Sequence, residues 1–174
     1  MRYVLIFASI VLGLLLQVSV FPSLPYMAVT PNILLMLTVS CSIMYGQMHG
    51  LFVGVICGFL LDMYSGSLLG YTALIYACIG YLSGGFTRNF DYEDFKLPAA
   101  VILFSDFIYG LVVFVTSVFT NGGISLMQAL FYVILPEVVY TGLITVFIYP
   151  LLVYCNRKIA ARSRRREKKF VADR

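Results

Sequence analysis

Three carboxylates, Asp62, Asp106 and Glu137, stand in or beside long apolar runs of this 174-residue chain. An acid in an apolar medium must be protonated, paired or hydrogen-bonded, which makes each a candidate for function. Asp106 follows Leu97, the start of one run, by nine residues, or about 13 Å of helix. No Lys or Arg accompanies it there. It is expected to face a bundle interior, protonated or hydrogen-bonded by Thr141 or Thr145. Asp62 closes a glycine-rich run and reads as a loop-capping acid or as part of a partner-binding group. Glu137 follows Pro136, in a helix's first turn, where the helix dipole favours negative charge. Two aspartates in separate runs raise the possibility of an intramembrane protease. Asp62 lacks a GxGD context, neither Asp has the flanking Asn of lipoprotein signal peptidases, and no Ser has a GxSG context. The single His, His49, lies in a polar turn, so no base is at hand. These residues point away from an enzyme. Cys41, Cys57, Cys78 and Cys155 lie far apart with no CxxC spacing and read as apolar packing residues, so no metal or other cofactor is expected.

The most regular pattern is a glycine ladder. Gly46, Gly50, Gly54 and Gly58 recur every fourth residue, and Asp62, Gly66 and Gly70 continue the interval. In lipid, helices associate by close backbone approach, which small residues at this spacing permit. The ladder therefore reads as internal helix packing, as a docking face for another membrane protein, or as a close approach to a small ligand. Gly80 and Gly84 repeat the spacing once, with Ala73 and Ala77 as a further small pair.

Apolar residues form 61% of the chain and charged residues 11%, against about 45–50% and 25% in soluble domains. A water-soluble enzyme, a secreted disulfide scaffold and a disordered chain are all disfavoured. A crossing needs about 20 apolar residues. Tyr3 to Phe21 meets this, and Pro22, Pro25 and Pro31 then mark a loop. Asn32 to Met63 is too long for one crossing, and the polar Gly46–Gly50 turn divides it into helices near 32–46 and 50–63. Tyr64 to Leu69 forms an uncharged turn and Gly70 to Phe86 a fourth span. Arg88 to Lys96 is a charged loop, after which Pro98 opens a fifth span ending near Phe119. Ser125 to Leu135 is expected to be interfacial or re-entrant, with Pro136 to Cys155 as the sixth span. The fold class is an all-α integral membrane protein of about six transmembrane helices over residues 1–155.

Residues 156–174 form a basic tail of nine Lys/Arg and two acids. Six crossings place all twelve Lys/Arg of the chain on one side, so the positive-inside rule puts both termini in the cytoplasm. Arg157, Lys158, Arg162, Arg164, Arg165 and Arg166 are expected to reach anionic lipid headgroups, at about 1 kcal/mol each. Topology explains this charge, and no nucleic acid is implied.

The stretch from Pro31-Asn32 through Gly46-Gln47-Met48-His49-Gly50 to GFLLDMYSGSLLGYTAL (Gly58 to Leu74) resembles the rod shape-determining MreD family. The Leu69-Gly70 pair after the Asp, and Leu135-Pro136 before the last span, fit as well. Where many members carry Asn shortly after that Leu-Pro, this chain has Tyr140 and Thr141. The resemblance implies a non-enzymatic subunit of the bacterial cell-elongation machinery in the plasma membrane. Such a subunit binds MreC and through it supports MreB, RodA and a penicillin-binding transpeptidase in peptidoglycan synthesis. The resemblance also implies kinship with the six-helix substrate-binding subunits of energy-coupling-factor vitamin transporters, which supplies an alternative function as a small-molecule-binding subunit.

Overall fold

The computed structural model describes the backbone of residues 2–23, 29–66, 68–86, 96–121 and 126–172. Side chains are described within these ranges except at 2–4, 86, 120–121, 126, 157 and 159–172. The charged 88–96 loop, apart from Lys96, and the Pro25 and Tyr26 part of the first loop lie outside the described residues.

Helix α1 (Arg2–Leu15) runs on through a π turn at Leu16–Val20 and a 3-10 turn at Phe21–Ser23. It is followed by α2 (Ile33–Tyr45), α3 (Gln47–Ser65), α4 (Tyr71–Phe86) and α5 (Lys96–Asn121). A short α6 (Leu126–Ala129), a π turn at Leu130–Ile134 and α7 (Leu135–Ala172) complete the chain. The described residues are helical throughout these elements and contain no strand.

Two boundaries differ from expectation. The polar segment after α2 is not a five-residue turn: Gly46 alone breaks the helix at φ 96°, its N–H bonded to Ser42 O, and α3 starts at Gln47. A single left-handed glycine suffices to reverse the chain because it carries no Cβ. Nor does Pro136 separate an interfacial segment from a last crossing. The apolar stretch Met127–Asn156 is continuous helix, 30 residues long. Proline lacks an N–H and crowds the carbonyl four residues before it, and here the widened π turn directly precedes it, with Leu135 N–H bonded to Leu130 O. A second proline, Pro150, is also carried inside α7. The helix then passes without a break into the basic segment as far as Ala172.

The bundle is built around α2. Every residue from Ile33 to Ser42 is buried, and α2 packs against α1, α3, α4, α5 and α7. A helix apolar on all sides belongs at the centre of a bundle. The periphery is equally apolar: Phe7, Phe52, Phe104 and Phe147 are 67%, 65%, 66% and 77% exposed. Conversely Asn32, Thr38, Ser40, Ser42, Asp62, Asp106, Thr141 and Thr145 are buried. Polar groups inside and large apolar groups outside is the distribution a lipid solvent demands.

Helices α3 and α4 make the closest pair, because three rungs of the ladder face α4. A Cβ at Gly54 would lie 2.7 Å from Tyr76 C and 2.9 Å from Ala77 N, and one at Gly58 would lie 2.6 Å from Ala73 N. Gly50 faces Gly80, and Gly84 faces Gln47 from the other side. Ser42 on α2 donates its hydroxyl to Gly80 O at the same crossing. Gly46, Gly66 and Gly70 belong to the period but not to the contact. Their surroundings are open, and their φ values of 96°, 63° and 96° show that they serve turns. Thus a side chain at Gly54 has backbone, not flexible atoms, to displace. Gly54→Ala is expected to cost at least about 1–3 kcal/mol, and Gly54→Leu to abolish a monodisperse fold. Ala substitution at the exposed Leu82 should leave the melting temperature in detergent nearly unchanged.

Candidate functional site

Helix α2 has only 13 residues, about 20 Å, short of a hydrocarbon core of about 30 Å. One end is tied to the tail end of α7, where Tyr45 OH donates to Asn156 Oδ1 at 3.0 Å. Its N-terminus is buried within the bundle, with Asn32, Ile33, Leu34 and Leu35 all closed off, so its first N–H groups need acceptors from the protein. Each finds a protein acceptor. Ile33 N donates to Pro31 O at 3.1 Å and Leu35 N to Asn32 Oδ1 at 3.3 Å. Leu34 N donates to Gln17 Oε1 of the α1 π turn at 3.0 Å. Asn32 N donates to Thr141 Oγ1 of α7, also at 3.0 Å.

Asn32 thereby becomes the junction of the bundle. Its Oδ1 also accepts the Tyr76 hydroxyl of α4 at 2.5 Å. Tyr76 is fully buried and meets Tyr109 of α5 edge to face, with ring centroids 5.3 Å apart. Helices α2, α4, α5 and α7 thus converge on one polar point, and α1 reaches it through Gln17. None of Asn32, Gln17, Tyr76 or Tyr109 stood out among the chemical candidates in the sequence. The available signal was Pro31-Asn32 directly before an apolar run, an N-cap pattern.

Asp106 lies at this junction, 1% exposed, beside the side chains of Thr141 and Asn32. Neither carboxyl oxygen makes a hydrogen bond of acceptable geometry. The bond expected from Thr145 goes elsewhere: its hydroxyl donates to Thr141 O at 2.7 Å, the usual back-bond of a helical threonine. Glu137 is half-buried on α7, near enough for its charge to act on Asp106 and on Tyr109. The structure thus brings together two of the three acids singled out.

Asp62 belongs to a different joint. It is fully buried at the end of α3, where its carboxylate accepts Gly70 N at 2.9 Å, Thr72 N at 3.1 Å and Ala73 N at 3.3 Å. It caps the start of α4 from a neighbouring helix, and charge at that end is favoured by the dipole. This is the loop-capping role open to it from the sequence, with the carboxylate fully buried within the chain. Removing the carboxylate strands three amides, so Asp62→Ala is expected to lower stability by about 1–2 kcal/mol. Asp62→Asn, which keeps one acceptor oxygen, should lose less. Thermal unfolding of the detergent-purified variants reads both.

A groove of about 400 Å³ opens between α1 and α7 over α2. Its walls are mainly Leu12, Leu37, Met44, Ile148 and Leu152, with Asn156 at one end. A pocket for a polar small molecule needs several convergent polar groups, and this groove offers few. Among the described residues there is no group of three His, Cys, Asp or Glu placed to hold a metal. Of the tail residues, Lys158 is exposed, with its ammonium 4.5 Å above the Tyr154 ring. The side chains of Arg157, Arg162, Arg164, Arg165 and Arg166 lie outside the described residues.

A helical bundle with an apolar exterior, buried polar joints and four helices long and apolar enough to cross a bilayer defines a multi-helix integral membrane protein. The profile of the rod shape-determining protein MreD matches residues 1–159, and the chain belongs to that family. It is accordingly a cell-shape protein of the membrane. No curated protein and no solved structure matches the chain.

Proposed function

We propose that this chain is a non-enzymatic scaffold of the bacterial rod complex that binds MreC, and through it supports MreB, RodA and a penicillin-binding transpeptidase during peptidoglycan synthesis. The observation that carries the reading is the MreD family match across residues 1–159. The use of the buried polar groups agrees with it. Asn32, Asp62, Gln17, Thr141 and Tyr76 cap helix ends or join helices. They form no nucleophile–base arrangement.

In this reading both termini are cytoplasmic, as the placement of Lys and Arg favours, and the basic continuation of α7 rests against anionic lipid. The start of α4 and the Asn32 junction then face the outer half of the bilayer. The contact of Gly50, Gly54 and Gly58 with α4 supports the helix-packing reading of the ladder. The vitamin-transporter alternative gains no support from the predominantly apolar groove.

Affinity-tagged chain, extracted in mild detergent, is expected to retain MreC, and depletion is expected to turn rod-shaped cells round. A stoichiometric vitamin in the purified protein, together with rods that persist on depletion, would sink the scaffold reading.

A further inference from the structure

We infer that the groove between α1 and α7 holds one acyl chain of an anionic phospholipid, whose headgroup sits at the Asn156 end beside Lys158. Such a site rests on the lipid contact proposed above for the tail, which it turns from a surface attraction into a single built site. It does not depend on MreC.

The groove forms because α1 and α7 both pack on α2, while small residues between them leave space. Ala8 and Ser9 of α1, Cys41 of α2 and Cys155 of α7 line it without filling it. Its lining runs along α1 from Leu5 to Leu16 and along α2 from Ile33 to Tyr45. At 1.5 Å per residue these stretches are about 17–18 Å long. One leaflet of a bilayer core, half of about 30 Å, has nearly that depth. A volume of about 400 Å³ takes on the order of a dozen methylenes, if each is given the roughly 30 Å³ of a water molecule. That is the bulk of one acyl chain. A transmembrane helix, about 10 Å across, is too thick to lie in it.

Charge selects the kind of lipid. The lining ends at Tyr45 and Asn156, where the Tyr45 hydroxyl donates to Asn156 Oδ1 at 3.0 Å. The Asn156 amide carries two N–H donors, and the basic part of α7 starts at the next residue. Lys158 follows the groove residue Cys155 by three positions, which places it on the same helix face. It is exposed, with its ammonium 4.5 Å above the Tyr154 ring. A phosphate at this mouth meets amide and ammonium donors, and no Asp or Glu is among the lining residues. A zwitterionic headgroup would bring its own cation to the same basic mouth, so a net negative headgroup is favoured.

The experiment is native mass spectrometry of the full chain released from nanodiscs of phosphatidylglycerol and phosphatidylcholine in equal parts. One phosphatidylglycerol per chain is expected to survive release, in several-fold excess over phosphatidylcholine. Ala8→Phe puts a ring into the groove from an exposed position and should abolish retention. Lys158→Glu should lower it several-fold. If Ala8→Phe does not fold, alkylation of Cys155 in the wild-type chain by N-ethylmaleimide gives the reading. It should be slower in phosphatidylglycerol than in phosphatidylcholine, with the exposed Cys78 of α4 as an unchanged control. Equal retention of the two lipids, or retention of neither, would overturn the inference. So would detergent, a second copy of the chain or another protein's helix found in the lipid's place. Lipid lost in Lys158→Glu but kept in Ala8→Phe would remove the groove site and leave the surface contact of the tail standing.

Discussion

A helix that begins inside an apolar layer presents amide N–H groups that no water can satisfy, and the architecture follows from how those of α2 are met. Each unsatisfied group in hydrocarbon costs several kcal/mol, so every neighbour that supplies an acceptor is fixed in place by doing so. Gln17 holds the π turn of α1 against the start of α2. Thr141 holds α7 there, and Asn32, the cap itself, holds Tyr76 of α4. Mutual burial of apolar side chains gives little force between helices in lipid. These few polar bonds therefore set positions that a soluble bundle would derive from its core.

The α3–α4 pair uses the complementary means. Its glycines bring two backbones together without any large side chain between them, and dispersion then acts over the whole length of the contact. The pair is closed at one end by Asp62 over the first turn of α4 and at the other by the Ser42 hydroxyl on Gly80 O. Close backbone packing and helix-end capping thus reinforce one another. Together they account for nearly all the chemically conspicuous residues of this half of the chain. Asp106 is left over, the one buried acid among the described residues whose oxygens are unpartnered.

Much of the arrangement was readable before any coordinates. The glycine spacing at Gly50, Gly54 and Gly58 and the pairing signals at Ala73, Ala77 and Gly80 matched the contact face, because a period of four selects one side of a helix. The same periodicity misled at Gly46, Gly66 and Gly70, which share the interval by sequence and serve turns by φ. Pro136 misled for another reason. A proline signals a helix end from local sterics, but in lipid an interrupted helix is so costly that the chain widens by one π turn and continues. Asn32 escaped notice as a functional residue, since a cap pattern says nothing of how many other helices will reach the same side-chain oxygen.

By itself the sequence determined the solvent and the class. An apolar composition with the basic residues gathered in the tail belongs in a bilayer, and the motif from Pro31 to Leu74 carried the MreD family. Both are properties of residue types and spacing along the chain, which folding does not alter. Only the tertiary structure decided what each acid does. Asp62 and Asp106 look alike in sequence, each a lone carboxylate in an apolar run. One meets three amides across a tight turn, and the other lies buried beside the side chains of Thr141 and Asn32 with neither oxygen in a well-formed hydrogen bond. Asp62 finds its amides just across the α3–α4 turn, whereas the surroundings of Asp106 come from the crossing of helices at Asn32, and contacts between residues so far apart in the chain exist only once the bundle has closed.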